Sequence, residues 1–303
     1  MNRWIDHDHE VPIAVKETGL HDRSGLPLLW VHGLAHHGQV WNNVIARTQL
    51  DHPMLQMDLR GHGDSGWSIH GRYQVNDHAS DILRVLDGLE IEKAIIVAHS
   101  LGGHAAILAT ALGPDRVEAL ALVDTGPALN MHGLEQVTEG IAGALRSYES
   151  LAAFRSTLDI QYPLAPESAL DQLATHSLVQ RIDGRFEPRL DPGLLATGLT
   201  PQAMHRLEQD LWMGLSNIKA PTLIVRGAHS SLLPADTVQR MREQISGATQ
   251  SITIEGAGHS IMLDAAEPLA RALVSFVRLH QPSTRAKCSE TAESQAARFS
   301  SWG

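Results

Sequence analysis

Six short, nearly uninterrupted apolar runs recur along the chain: PLLWVHG at 27–33, PMLQMDLRG at 53–61, KAIIVAHS at 93–100, VEALALVDTG at 117–126, PTLIVRG at 221–227 and SITIEGAGH at 251–259. A run rich in Val, Ile and Leu has no polar side to turn to water, so it reads as a strand buried on both faces of a parallel sheet. Most of the runs end at Gly or a polar loop, as strands must. Helical patterns such as HASDILRVLDGLEI at 78–91 and AEPLARALVSFVRL at 266–279 lie between or after them. Strand alternating with helix predicts a doubly wound, mostly parallel α/β sheet.

The alternation breaks between about 127 and 217, where LEQVTEGIAGALRSYESLAAFRSTL and SALDQLATHSLVQRI are helical in pattern and no buried strand is evident. A helical insertion there would sit over the carboxyl edge of the sheet, where open α/β sheets bind ligands. The expected organisation is a core built from 1–126 and 218–280 with a helical cap at 127–217. The stretch from 281 to 303, QPSTRAKCSETAESQAARFSSWG, is polar and poor in aliphatic side chains, so it is expected to be disordered or weakly packed. A chain of 303 residues, 43% apolar and 19% charged, is long enough to build such a core.

The formal charge of −10, spread without long runs of one sign, repels phosphate backbones and offers nothing to an anionic membrane. Neither nucleic acid nor membrane is an expected partner, and a small-molecule substrate is. The opening MNRWIDHDHEVPIAV carries acids and His where a secretory signal needs an apolar core, and no apolar run approaches a membrane span, so a cytoplasmic protein is expected. Cys288 is the only cysteine, which excludes an internal disulfide and a cysteine-built metal site. The 18 histidines do not fall at the i, i+4 spacing of a zinc-binding helix face in pairs such as His7/His9, His36/His37 or His99/His104, so no metal is expected. Oligomeric state is not fixed by the sequence.

The chemistry concentrates in three places. In VAHSLGG, Ser100 ends a Val/Ile run and opens the apolar helix LGGHAAILATAL, with small Ala98 and Gly102 two residues to either side. Such spacing relieves crowding at a sharp strand-to-helix turn that exposes a hydroxyl above the sheet. A serine in that place can also be a plain helix N-cap. LLWVHGLAHHGQVW sets His32-Gly33 at an earlier strand end, where the N–H of Leu34 can join that of Leu101 as an oxyanion hole, often the largest contribution to acyl-transfer catalysis. EGAGHSIMLDAAEPL places His259 on a Gly-rich loop after a late strand, where a neutral imidazole can take the serine proton and return it to a leaving group.

With HGLAHHGQVW, DLRGHGDSG, AHSLGG, VDTGP and GAGHSIMLD in this order, the chain resembles the α/β-hydrolase superfamily from about residue 10 to 280, and is most similar to its capped esterase and C–C hydrolase branch. Branches that use Asp where Ser100 stands, the dehalogenases and epoxide hydrolases, are not implied. The resemblance implies that the acid partner of His259 lies three residues beyond the Gly that ends LIVRG, but that position is Ser230, followed by Ser231. Neither can carry the charge that stabilises an imidazolium. Asp124, at the end of ALALVDTG, is the better candidate, since some superfamily members carry the acid at that earlier strand end. Asp236, in the first turn of a helix after Pro234, is the alternative, although there it suits the helix dipole. Asp58 and Arg60 of DLRGHGDSG resemble a structural loop, His99 is expected to pack or hydrogen-bond away from the site, and Trp41 to pack beneath the oxyanion loop.

The expected activity is cofactor-free hydrolysis of a carboxylic ester, lactone or thioester through an acyl-enzyme on Ser100, with His259 and Asp124 as base and acid. C–C bond hydrolysis or cofactor-free dioxygenation on the same fold is the alternative, and a non-catalytic ligand-binding member a third. His32, Trp212 and Met213 are candidate pocket residues.

Overall fold

The structure, a computed structural model, describes residues 2–6, 11–19, 25–196 and 200–280. The expectations for the tail from 281 on, for Cys288 and for His7/His9 fall outside the described residues. The strands are β1 (Asn2–Ile5), β2 (Ile13–Thr18), β3 (Leu28–Val31), β4 (Met54–Met57), β5 (Ala94–His99), β6 (Val117–Val123), β7 (Leu178–Gln180), β8 (Phe186–Pro188), β9 (Thr222–Gly227) and β10 (Thr249–Ile254). The helices are α1 (Asn42–Thr48), α2 (Val75–Gly88), α3 (Ser100–Leu112), α4 (Met131–Ala144), α5 (Leu151–Gln161), α6 (Glu167–Ser177), α7 (Gly193–Ala196), α8 (Pro201–Ser216), α9 (Ala235–Gln244), α10 (Ile261–Asp264) and α11 (Ala266–Leu279).

Eight strands form one sheet in the order β1-β2-β4-β3-β5-β6-β9-β10, with only β2 antiparallel to its neighbours. Alternation along each interior strand feeds two cores. In β5, Ile96 and Ala98 face one core together with α2 and α3, whereas Ile95 and Val97 face the other with α1 and α11. Each fully buried Val, Leu or Ile contributes about 1.5–3 kcal/mol, which is why these strands read as continuous apolar runs.

Two elements differ from expectation. SITIEGAGH was expected to be buried on both faces, yet β10 is the last strand of the sheet, pairs only with β9, and has four consecutive exposed residues from Gln250 to Thr253. An edge strand needs just one apolar side, and here only Ile254 at its end is buried, with Ile252 left exposed. Within the inserted segment, β7 and β8 form a small antiparallel hairpin. At three residues each, with only Leu178 buried, they carry no buried-strand pattern.

Between β6 and β9 lie α4 to α8. Asn130, Ser150 and Thr200 start α4, α5 and α8 by accepting hydrogen bonds from the N–H groups of Gly133, Ala153 and Ala203. The hairpin end is fastened to the sheet side by Gly63 N–H to Arg189 C=O (2.9 Å), Asp191 N–H to Gly61 C=O (2.8 Å) and an Arg189–Asp64 ion pair. α8 lies along α3, with Leu211 and Leu215 buried in the same core as Ile107 and Leu108.

From β3 the chain moves outward to β4, then returns past β3 to β5 and on to β6. Connections therefore leave β3 and β5 in opposite directions, and open α/β sheets bind ligands in the crevice at that reversal. The carboxyl ends that border it carry Gly33 and Ser100.

Candidate active site

Ser100 follows β5 directly and opens α3 with φ at +50°, a left-handed conformation that a side-chain-bearing residue rarely adopts. Close approach makes room for the turn. A methyl group at Gly102 would stand 2.3 Å from the His32 carbonyl oxygen, and one at Gly33 would stand 2.9 Å from Ser100 Cβ and 2.6 Å from His99 Nδ1. The β3 end and the α3 start are thus in contact only because both positions lack a Cβ.

Ser100 Oγ lies 3.1 Å from His259 Nε2, and His259 Nδ1 lies 2.8 Å from Asp124 Oδ2. A carboxylate only accepts, so the proton sits on Nδ1 and leaves the Nε2 lone pair aimed at the serine hydroxyl. Asp124 is fully buried at the tip of β6, also at positive φ (+45°). Its Oδ1 accepts from Gly227 N–H (2.9 Å), and its Oδ2 accepts from Ser230 Oγ–H (2.5 Å) as well as from His259. The position three residues beyond Gly227, where the resemblance implies an acid, therefore carries a hydroxyl that turns back onto Asp124 at the neighbouring strand end. Ser230 Oγ is in turn held by the N–H groups of Leu232 and Leu233 (3.2 and 3.1 Å). Asp236 stays on the first turn of α9, where its Oδ1 accepts from Thr237 N–H (2.8 Å).

Leu34 and Leu101 both line the space in front of Ser100. Among the described residues neither backbone N–H is satisfied by a protein acceptor, and Leu101 belongs to the first helical turn, whose amides have no intrahelical partner. The loop carrying Leu34 is pinned by three acceptors. His32 Nε2 accepts from Leu59 N–H (2.9 Å), His62 Nε2 accepts from Ala35 N–H (3.1 Å), and Asp58 Oδ1 accepts from Gly38 N–H (2.6 Å). Burial lowers the pKa of His32 and takes that of His62 down to about 4, so both rings stay neutral and able to accept. Burial also raises Asp58 to about 6, against the opposing pull of the Asp64 and Gly38 amides. Sequence reading missed the loop-clamping role of His62, whose only signal was its place between two glycines in RGHGD. Arg60 is committed elsewhere, to a bidentate pair with Asp81 (2.5 and 2.7 Å).

His99 is buried and borders the larger cavity at Ser100. Its ring packs on that of His259 at 4.6 Å, and its Nε2–H donates to the His259 carbonyl (3.0 Å). Trp41 is fully buried against Trp30. The pocket residues expected from sequence need correction. His32 is sealed beneath the loop, its Nδ1–H donating to Gly33 C=O (2.7 Å), and it borders neither cavity at Ser100. Trp212 packs under the Arg240 guanidinium of α9 at 4.3 Å, and Met213 is 60% exposed. The apolar stripe of α8 that carries Leu211 and Leu215 faces α3, with Trp212 partly buried at its margin and Met213 turned outward.

Two cavities meet at Ser100, with Leu34, Val137 and His259 as their other shared walls. One, of about 660 Å³, is bordered by His36, Gln136, Arg146, Gln161, Tyr162 and Asp264. The other, of about 560 Å³, is bordered by Leu129, Leu134, Leu194, Leu195, Met204 and Leu207. Each is of the size that holds a small-molecule group. No cluster of three or more His, Cys, Asp or Glu among the described residues is arranged to hold a metal ion, and no described helix is long and apolar enough to cross a membrane.

The chain is similar to known proteins over most of its length. A 2-(acetamidomethylene)succinate hydrolase of Mesorhizobium japonicum is 27% identical over 88% of this chain and 92% of its own length. A solved structure of E-2-(acetamidomethylene)succinate hydrolase superposes with a TM-score of 0.80 at 25% identity, covering 92% of this chain and 99% of that one. Esterase Rv0045c of Mycobacterium tuberculosis is 28% identical over 83% of this chain and 81% of its own, and 2-hydroxymuconate semialdehyde hydrolase of a Pseudomonas strain is 26% identical over 88% and 93%. The alpha/beta hydrolase fold family matches residues 27–266, most of the chain, and this protein belongs to that family of enzymes.

Proposed function

We propose that this protein is a serine hydrolase that cleaves a carboxylic ester, lactone or thioester of a small molecule through an acyl-enzyme on Ser100. The observation that carries the reading is the continuous line Ser100 Oγ–His259 Nε2, His259 Nδ1–Asp124 Oδ2, at 3.1 and 2.8 Å, facing a cavity. His259 takes the hydroxyl proton as Ser100 attacks the carbonyl, Asp124 holds the ring and stabilises its charged form, and the Leu34 and Leu101 N–H groups receive the oxyanion. His259 then protonates the leaving group, and water, activated by the same ring, releases the acyl group. These steps use only this chain's residues and water. We read α4 to α8 as a cap over the two cavities, and the small-molecule partner and cytoplasmic location belong to the same proposal.

The test is turnover of a panel of short esters, lactones and thioesters by the wild type and Ser100→Ala. Hydrolysis that disappears in the variant supports the reading, and equal turnover by both overturns it. A second reading, C–C bond hydrolysis, is favoured by the likeness to the semialdehyde hydrolase over 88% of the chain. Cleavage of a β-diketone-like substrate with no ester activity would select it, and oxygen uptake during turnover would instead select dioxygenation.

A further inference from the structure

Both cavities that meet at Ser100 are walled mainly by apolar surface, and they differ in the polar side chains set into it. The leucine-lined one, with Leu129, Leu134, Leu194, Leu195, Met204 and Leu207, takes an aliphatic group by removing apolar surface from water. Arg206 and Asp210 of α8 also border it, as do Tyr73, Gln74, Asn76 and His104. The other cavity, bordered by Ile141, Ile160 and Leu164, also carries the side chains of His36, Gln136, Gln161 and Tyr162 and the cation Arg146.

Arg146 follows α4 on the connection to α5. Its guanidinium is held over the Tyr148 ring at 5.3 Å, and the Tyr148 backbone is fixed by paired bonds with Phe186 (2.7 and 2.8 Å). Among the described residues no carboxylate lies within ion-pairing distance of it. Other arginines between β6 and β9 are committed: Arg155 to Asp159 and Asp171, Arg185 to Ser147, and Arg189 to Asp64. Gln136 on α4 and Gln161 at the end of α5 add amide donors to the same wall. One acid is present, Asp264, and its Oδ2 is turned to the Gly258 N–H (2.9 Å), on the His259 loop.

Resting on the serine-hydrolase reading, we propose that the substrate is an amphipathic monoester: an aliphatic chain on one side of the scissile carbonyl enters the leucine-lined cavity, and a carboxylate on the other side is bound by Arg146. A guanidinium offers a planar fork that meets both carboxylate oxygens, and stacking on a ring fixes that fork before the ligand arrives. The carboxylate can belong to the acyl half or to the alcohol half of the ester.

Two matched series separate these sources. Monobutyl succinate carries the charge on the acyl side and 3-butyryloxypropionate on the alcohol side, and each is compared with its neutral primary-amide counterpart. The same four compounds are also scored by how well they slow fluorophosphonate labelling of Ser100, which reads binding without turnover. The expected result is that one charged ester beats its amide by tenfold or more in kcat/KM, chiefly through KM, or in protection from the label. In Arg146→Met, which keeps the length of the stem, that ratio falls to near one, and Arg146→Lys retains part of it. A ratio near one in the wild type for both series overturns the inference, as does a ratio unchanged in Arg146→Met. If Ser100 is labelled and the amides are hydrolysed or protective while no charged ester is preferred, only this inference fails. If Ser100 is neither labelled nor needed for turnover, the serine-hydrolase reading fails and this inference with it.

Discussion

Asp124 Oδ2 accepts two hydrogen bonds at once, from His259 and from Ser230, while Oδ1 is held by the Gly227 amide. Three donors fix the carboxylate in one orientation, so the imidazole it holds has one as well. Asp124→Asn keeps the shape but presents an amide that can turn a donor toward the ring, and it is expected to lower kcat roughly 10³- to 10⁴-fold. Ser230→Ala removes one hydrogen bond to the acid, which costs about 1.5 kcal/mol, or roughly tenfold in rate. The double variant Asp124→Asn/Ser230→Asp moves the charge to a side chain already 2.5 Å from the oxygen that His259 uses, and is expected to recover at least about tenfold over Asp124→Asn. Steady-state kinetics on one ester decides all three, and a double variant no faster than Asp124→Asn would show that the Ser230 position cannot serve the ring.

At the scale of elements, the site depends on how closely β3 and α3 approach. Gly102→Ala would force a methyl group to 2.3 Å from a backbone oxygen, which no rotamer change relieves. Overpacking of this kind is expected to cost about 2 kcal/mol or more, read as a lowered denaturation midpoint with unchanged slope. An unchanged midpoint would mean that the strand end is freer than its contacts imply. Elements of this sort were largely legible in sequence: the interior strands because burial on both faces leaves a continuous apolar run, and the turn at Ser100 because small residues must flank it. Asp124 was legible as the strand-end carboxylate that meets His259 once Ser230 left the usual place empty. The pocket was not. Trp212 and Met213 sit on an apolar stretch of α8, but helical periodicity does not say which neighbour a face meets, and α3 takes that face. The β7–β8 hairpin was equally silent, because exposed three-residue strands need no pattern. Likewise, nothing local distinguishes Arg146 from any surface arginine. It borders the cavity only because the connection between α4 and α5 returns there.

For the whole molecule, the many histidines act on stability more than on chemistry. Burial lowers the pKa of His32, His36, His37, His62, His78, His99 and His104, with His36 and His37 at about 3 and His62 and His104 at about 4. A ring kept neutral in the fold but protonated when unfolded gives stability that is full above its unfolded pKa, near 6.5, and is lost as pH falls toward the folded value. Each contributes a slope of about 1.4 kcal/mol per pH unit in that window. Asp58, raised to about 6 by burial, works the other way, since it favours the fold as pH drops from 6 toward 3.8, and buried Asp81 and Asp264 shift in the same direction. The histidines outnumber them, so Tm is expected to fall by roughly 10 °C or more between pH 7 and pH 5. Calorimetry across that range, with proton uptake on unfolding, checks the sign. A flat or rising Tm on acidification would mean that these rings are not neutral in the fold.

Beneath each of these scales lies the proposal that His259 and Asp124 activate Ser100. The most direct measurement is the rate of fluorophosphonate labelling of the wild type, His259→Ala and Asp124→Asn, with the modified peptide located by mass spectrometry. Rapid labelling confined to Ser100 in the wild type, slowed at least a hundredfold in both variants, is the expected result. Labelling at Ser100 that is equally fast in all three proteins, or that never occurs in the wild type, would contradict it.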